Sequence, residues 1–313
     1  METRNFLGCF VWAAACVSAT ALIPIAGPFF SLLTPLPFLY YATKLGRYRG
    51  ALLAGAVTLT IGVLAQLLSF TQGVLFIVEF CLLGLALAEL YRRKFPVGLT
   101  VFLGTAFMLV VGFVFLTVLA HSRGMGPLQL VREYLQANIQ QTFEAYRGSG
   151  GLEDGKAAEF QAYVKTLSDA ISRIYVGMMV VGAGFMVWLN VILSRPILRM
   201  GGLAVPDFGP LDRWYAPDLL VWALIVPGFC LFLPWEGIKW WSVNVLIVMV
   251  AVYVFHGLSI LLFFLNKYKV PSWVRAGIYA LALLQQLFLA LFALAGIFDQ
   301  WADFRKIRKP VEA

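Results

Sequence analysis

Few residues of this chain have the type and placement to do chemistry inside an apolar environment. Glu79 lies about seven residues into an apolar run, roughly 10 Å from its start at 1.5 Å per residue. His256 sits next to Gly257 near the centre of another such run, and Gln285 and Gln286 near the centre of the last one. Asn190 lies closer to the end of its run. An ionisable or amide side chain within hydrocarbon faces a bundle interior or a cavity as a rule, because lipid offers it no partner. Glu79 is therefore a candidate solute or cation ligand or proton site, or else a hydrogen-bonded structural carboxyl. His256 is a candidate ligand or proton carrier, or else a donor to a neighbouring carbonyl. Glu79, His256, Gln285 and Asn190 form the expected substrate-binding set. Adjacent helical residues point about 100° apart, so only one of the two glutamines need face the same side as His256.

The apolar runs that position these residues dominate the chain. Of its 313 residues 61% are hydrophobic and 13% charged, against about 45–50% and about 25% in ordinary soluble domains. The formal net charge of +8 falls in short basic clusters between the runs, as in cytoplasmic loops of membrane proteins. No RNA-binding pattern accompanies it, so nucleic acid is not an expected partner. The four cysteines, Cys9, Cys16, Cys81 and Cys230, all lie in apolar runs without a CxxC pair. With only two histidines, His121 and His256, no metal-ligand spacing arises, and no cofactor is expected. A nucleotide-binding glycine loop with its lysine, HExxH and GxSxG are absent from the sequence, so neither an ATP-driven motor, a familiar membrane protease nor another enzyme is expected.

The expected fold is an all-α polytopic transmembrane bundle of eight or nine spans. Residues 1–120 supply N-terminal spans over 6–26, 29–43, 51–70, 73–90 and 97–120. The first, with an AxA-like site near Ala19–Ala21, reads as an uncleaved helix rather than a signal peptide. The second contains Thr34-Pro35-Leu36-Pro37 and reaches only about 23 Å, short of a hydrocarbon core of about 30 Å; it reads as a broken span or a re-entrant element. A tight turn is expected at Thr71–Gln72. Residues 121–173 read as an extramembrane helical hairpin. Leu128, Val131, Leu135, Ile139, Phe143 and Tyr146 recur at helical spacing before a break at Gly148-Ser149-Gly150-Gly151, and Phe160, Val164, Leu167, Ile171 and Ile174 follow. Residues 174–298 supply C-terminal spans at 174–193, 219–233, 243–265 and 276–298, and 299–313 form a basic tail. Small residues at Ala15 and Ala19, Ala51 and Gly55, Gly62, Gly177, Gly182 and Gly184 are candidate sites of close helix approach.

Basic clusters at 44–49, 92–94, 195–213 and 267–275 fall on one side, which the positive-inside rule makes cytoplasmic. Nine crossings with an inside N-terminus leave the basic tail outside, against the rule.

Three stretches carry a resemblance. They are Leu33-Thr34-Pro35-Leu36-Pro37 with Lys44-Leu45-Gly46; Asn190 to Arg195 with the linker ending at Trp214 and Pro217; and His256-Gly257 with Gly296, Phe298, Asp299, Trp301, Asp303, Phe304 and Arg305. On these the chain resembles the YybS-like family of bacterial polytopic membrane proteins, in which glutamine often stands where this chain has His256. That family is in turn distantly similar to the substrate-binding subunits of energy-coupling-factor transporters. The resemblance implies a multi-pass protein of the bacterial inner membrane that captures a small-molecule substrate and works with an ATP-hydrolysing module or another membrane-protein partner. The competing expectation is a scaffold or assembly factor that docks through the 121–170 hairpin.

Overall fold

The computed structural model describes residues 3–23, 27–67, 73–148 and 157–307. Among them every regular element is helical: α1 (Thr3–Leu22), α2 (Gly27–Leu32), α3 (Pro35–Leu45), α4 (Arg47–Leu67), α5 (Gly73–Arg92), α6 (Val97–Ser122), α7 (Pro127–Gly148), α8 (Ala157–Met200), α9 (Trp222–Cys230), α10 (Glu236–Lys267), α11 (Ser272–Leu284) and α12 (Gln286–Ala302), with 3-10 turns at Leu211–Arg213 and Asp218–Val221. The expected turn at Thr71–Gln72, residues 149–151 of the expected break, and Arg308 and Lys309 of the tail lie outside the described residues.

Five helices are long and apolar enough to cross a membrane: α4, α5, α6, the part of α8 from Val164, and α10. A sixth candidate is the bent pair α11 and α12. The outward surface explains the composition. Along α6 the residues Val97, Thr100, Gly104 and Ala120 are buried, while Phe102, Val110, Phe113, Val114 and Val118 point outward. Water tolerates apolar patches of only a few hundred Å², whereas lipid is a matching solvent for such a face.

The chain divides into two compact units. The first comprises Met1–Glu133 and Gly182–Phe208. Its centre is α3, packed on α4 and α5. Backbone approach is set by glycine: a Cβ on Gly84 would lie 2.6 Å from the Pro35 carbonyl oxygen, and one on Gly50 2.6 Å from the Cα of Ala42. Phe38, Leu39, Leu53, Val57, Leu83 and Leu87 fill the space between. The 29–43 run is a broken element: α2 ends at Leu32, a turn follows at Leu33–Thr34, and α3 begins at Pro35. Proline suits that first helical position, since it lacks the N–H that would otherwise go unpaired there. α2 packs back on α1, and Lys44 Nζ at the end of α3 donates to Asn5 Oδ1 near the start of α1 at 3.0 Å. The chain thus leaves the basic 44–49 end along α1 and returns to it along α2 and α3.

The second unit comprises Tyr134–Val181 and Gly209–Ala313. Its axis is the antiparallel pair α10 and α12. Near the start of α10, Asn244 Oδ1 accepts from Gly177 N at 2.7 Å while Asn244 Nδ2 donates to Arg173 O at 2.8 Å. Those two α8 backbone groups stand four residues apart, the spacing of a helical hydrogen bond, and the asparagine amide contacts both. Arg173 also pairs with Glu236 at 3.5 Å and lies over the Trp240 ring. At the far end of α10, Asn266 Nδ2 donates to Asp212 Oδ2 at 2.8 Å, and Arg275 donates to the Leu265 and Val270 carbonyls.

Two expectations change here. The 276–298 run is not one straight helix: it breaks at Gln285 (φ −110°, ψ 109°), and the two arms meet at 100°. Neither proline nor glycine marks the spot. α12 is held by its close contact with α10, whereas α11 runs in another direction and meets α12 alone among its principal contacts. Of the candidate close-approach glycines, Gly177 is tight against Asn244, but Gly55 and Gly182 face open space.

Candidate functional site

The closest helix contact in the second unit builds its most polar interior. A Cβ on Gly257 would stand 2.0 Å from the Phe292 carbonyl oxygen, and one on Gly296 2.3 Å from the Tyr253 carbonyl oxygen. Only glycine lets α10 and α12 meet backbone to backbone at this crossing. That contact puts His256, one residue before Gly257, beside Asp299, three residues beyond Gly296. Both side chains are fully buried, and His256 Nε2 lies 3.1 Å from Asp299 Oδ2.

A carboxylate in the last turn of a helix faces the negative end of the helix dipole. Here it is compensated. At Asp303 the backbone enters the left-handed region (φ 39°, ψ 60°) and reverses, with Asp303 N donating to Asp299 O and Phe304 N donating to Asp299 Oδ1 at 2.7 Å. The reversal carries Arg305 back into the interior, where its side chain is fully buried. Arg305 Nη2 donates to Asp299 Oδ2 at 3.0 Å and lies 2.9 Å from His256 Nε2. Arg305 Nη1 reaches Asp212 O, Trp214 O and Ser259 Oγ at 2.9–3.0 Å. Ser259 Oγ is itself 2.9 Å from the Leu211 and Trp214 carbonyl oxygens. Tyr215 OH donates to Gln300 Oε1, and Gln300 Nε2 to Ala216 O at 3.1 Å. The 211–216 linker, α10, α12 and the residues after α12 are thus tied at one point.

Aromatic rings wall the histidine. Tyr215 stands edge-on at 4.7 Å between centroids, with Trp214 and Tyr253 at 6.1 and 6.3 Å. Nε2 has two possible roles. With the proton on Nδ1 it accepts from Arg305; with the proton on Nε2 it donates to Asp299. In either case Nδ1 is buried with no hydrogen-bond partner, as is Arg305 Nε. The network presents two polar atoms whose hydrogen bonds are unmade. Among the described residues no three of His, Cys, Asp and Glu converge as metal ligands would.

The model of a predicted membrane protein family, DUF2232, matches residues 11–300. The chain belongs to this family. The match takes in His256 and Asp299 and ends just before the reversal that carries Arg305. No curated protein and no solved structure matches the chain.

The four expected site residues of this DUF2232 member divide between the two units. Glu79 and Asn190 belong to the first unit, His256 and Gln285 to the second. Asn190 is buried, and its Nδ2 donates to Leu32 O and Met186 O at 2.8 Å each. Leu32 closes α2, so the asparagine satisfies a carbonyl left without a helical partner where the chain breaks. Glu79 is half-buried on α5, and a Cβ on Gly112 of α6 would lie 3.0 Å from its Oε1. Gln285 is exposed at the helix break. It stands 14 residues, about 21 Å along α12, before Asp299.

Reading the sequence for single polar residues within apolar runs located His256 but missed its partners. Asp299 and Arg305 lie in the 299–313 stretch expected to form a basic tail. α12 runs on to Ala302, and Arg305 is a buried member of the core rather than a free tail charge. The available signal was the lone carboxylate directly after 23 uncharged residues, followed six residues later by arginine.

Proposed function

We propose that this chain is a membrane-embedded component that binds a small polar solute, with His256, Asp299 and Arg305 as its polar centre in place of the four-residue set. The observation that carries this reading is the buried network with His256 Nδ1 and Arg305 Nε left unpaired. Ionisable groups at such depth mark solute or proton paths by default. The resemblance to the YybS-like family, itself distantly similar to energy-coupling-factor substrate-binding subunits, favours binding over catalysis and an ATP-hydrolysing partner elsewhere in a bacterial cytoplasmic membrane.

Nine crossings fit this reading. The Asn5–Lys44 bond supports a chain start on the basic, cytoplasmic side, with α1 going out and α2–α3 returning. Asp212 meets the end of α10, whereas Arg173 and Glu236 meet at its start. The 213–235 segment with α9 must then traverse, although α9 itself has nine residues. The remaining crossings are α4, α5, α6, α8, α10 and α12.

The test is mass spectrometry of small molecules released from the full chain purified in native-membrane nanodiscs. Wild type should carry one polar solute at near-stoichiometric level, and His256→Ala should lose it by about tenfold or more, equivalent to about 1.4 kcal/mol. A wild type with no solute above the nanodisc background, or with equal solute in a folded His256→Ala variant, overturns the reading.

A second reading, a scaffold, is favoured by α8. Its 44 residues extend about 66 Å, roughly twice a hydrocarbon core. That leaves an arm outside the bilayer for docking. Photo-crosslinkers at Gln136 and Thr166 on this arm should capture one defined membrane protein; uniform, non-specific labelling would remove this reading.

A further inference from the structure

The basic end of the first unit carries more positive charge than the protein neutralises. Glu89 Oε2 lies 3.0 Å from Arg92 Nη1 and 4.0 Å from Arg47 Nε, and Glu89 Oε1 lies 3.7 Å from Arg93 Nε. One carboxylate thus gathers three guanidinium groups from two helices. Arg92 is fixed further, since its Nη2 donates to Ala42 O at 2.8 Å. Tyr91, next to Arg92, shares a 2.6 Å hydrogen bond with Ser194, which precedes Arg195. The Arg195 guanidinium lies over the Phe208 ring, and its Nε is buried without a partner. Lys44, Arg49 and Lys94 flank the group in sequence. Three guanidinium groups thus share the single carboxylate of Glu89.

Arg47 and Arg93 remain well exposed, with side chains 68% and 60% accessible, while Glu89 is only 30% accessible. The carboxylate therefore sits beneath the guanidinium groups and orients them without filling their outward donors. Planar, oriented guanidinium forks match phosphate oxygens and bind them in pairs. Arg47 begins α4 and Arg92 ends α5, both long and apolar enough to cross a membrane, so a ligand here meets both charge and acyl chain. We propose that the Arg47–Arg92–Arg93 cluster is a binding site for the phosphate headgroup of an anionic phospholipid of the cytoplasmic leaflet. The site is independent of what the second unit binds.

The experiment is native mass spectrometry of the delipidated full chain titrated with phosphatidylglycerol, cardiolipin or phosphatidylcholine. Anionic lipids should be retained about tenfold more strongly than the zwitterionic one. Arg47→Gln/Arg93→Gln, which alters only exposed side chains, should remove most of that preference. Lys267→Gln/Lys269→Gln removes the same charge from the other unit and should leave it intact. Equal retention of phosphatidylcholine overturns the proposal, as does an unchanged preference in the arginine variant. An equal loss in the lysine variant also overturns it, since it would mean that overall charge rather than this cluster holds the lipid.

Discussion

The two units bury polar groups in opposite ways. In the first, polar side chains serve the backbone or one another: buried Asn190 donates to two carbonyls, partly exposed Arg92 donates to Ala42 O, and buried Tyr91 and Ser194 pair with each other. Its acid–base contacts around Glu89 lie at the end of α5, within reach of water. In the second, a full ion pair with a histidine lies at 0% side-chain exposure. Removing ions from water has a large desolvation penalty, and a buried pair recovers it only with good geometry and further hydrogen bonds. Arg305 has those bonds; among the described residues of the first unit no such pair is buried. The difference indicates that the first unit's polarity holds a break in its helices together, whereas the second unit's polarity exceeds what its packing requires.

That contrast can be broken experimentally, and the largest effect should come from the helix crossing itself. Gly296→Leu would place a side chain within the α10 backbone, and loss of folded, monodisperse protein in fluorescence size-exclusion is expected, a destabilisation above about 4 kcal/mol. Gly55→Leu, which meets open space in the first unit, should leave the elution profile unchanged. Next, Arg305→Met leaves Asp299 buried without its cation, so SDS-unfolding should report a loss of about 3–5 kcal/mol. Arg305→Met/Asp299→Leu should recover part of it, and a double variant no better than the single would mean that the pair is not the relevant interaction. A smaller effect belongs to the first unit: Asn190→Leu forfeits the bond to Leu32 O and should lower stability by about 1–2 kcal/mol. Smallest of all, Glu79→Gln should fall within about 0.5 kcal/mol of wild type in the same assay. A larger change would mean that the first unit also relies on a buried charge and would erase the contrast.

Much of the fold was legible because hydropathy and helix length respond to lipid locally. The five long helices, the broken element at Pro35 and the basic ends all follow from runs of residues close together in sequence. The break at Gln285 was not legible, since it has neither proline nor glycine and depends on where α12 is gripped. The candidate site was half legible. His256 stood out as a polar residue within an apolar run, but its carboxylate lies 43 residues away and its arginine 49. Gly257 and Gly296, the residues that make the encounter possible, resemble many other glycines in the chain, among them Gly55 and Gly182, which touch nothing.

The sequence by itself determined that lipid surrounds this protein, since a chain 61% hydrophobic with its charges in short clusters has no other compatible solvent. It also determined which helix ends carry the positive charge. Only the tertiary structure decided that Arg305 belongs to the interior and not to a tail. A side chain's burial depends on the turn at Asp303 and on a glycine contact between two helices, and neither is encoded in the residues next to Arg305.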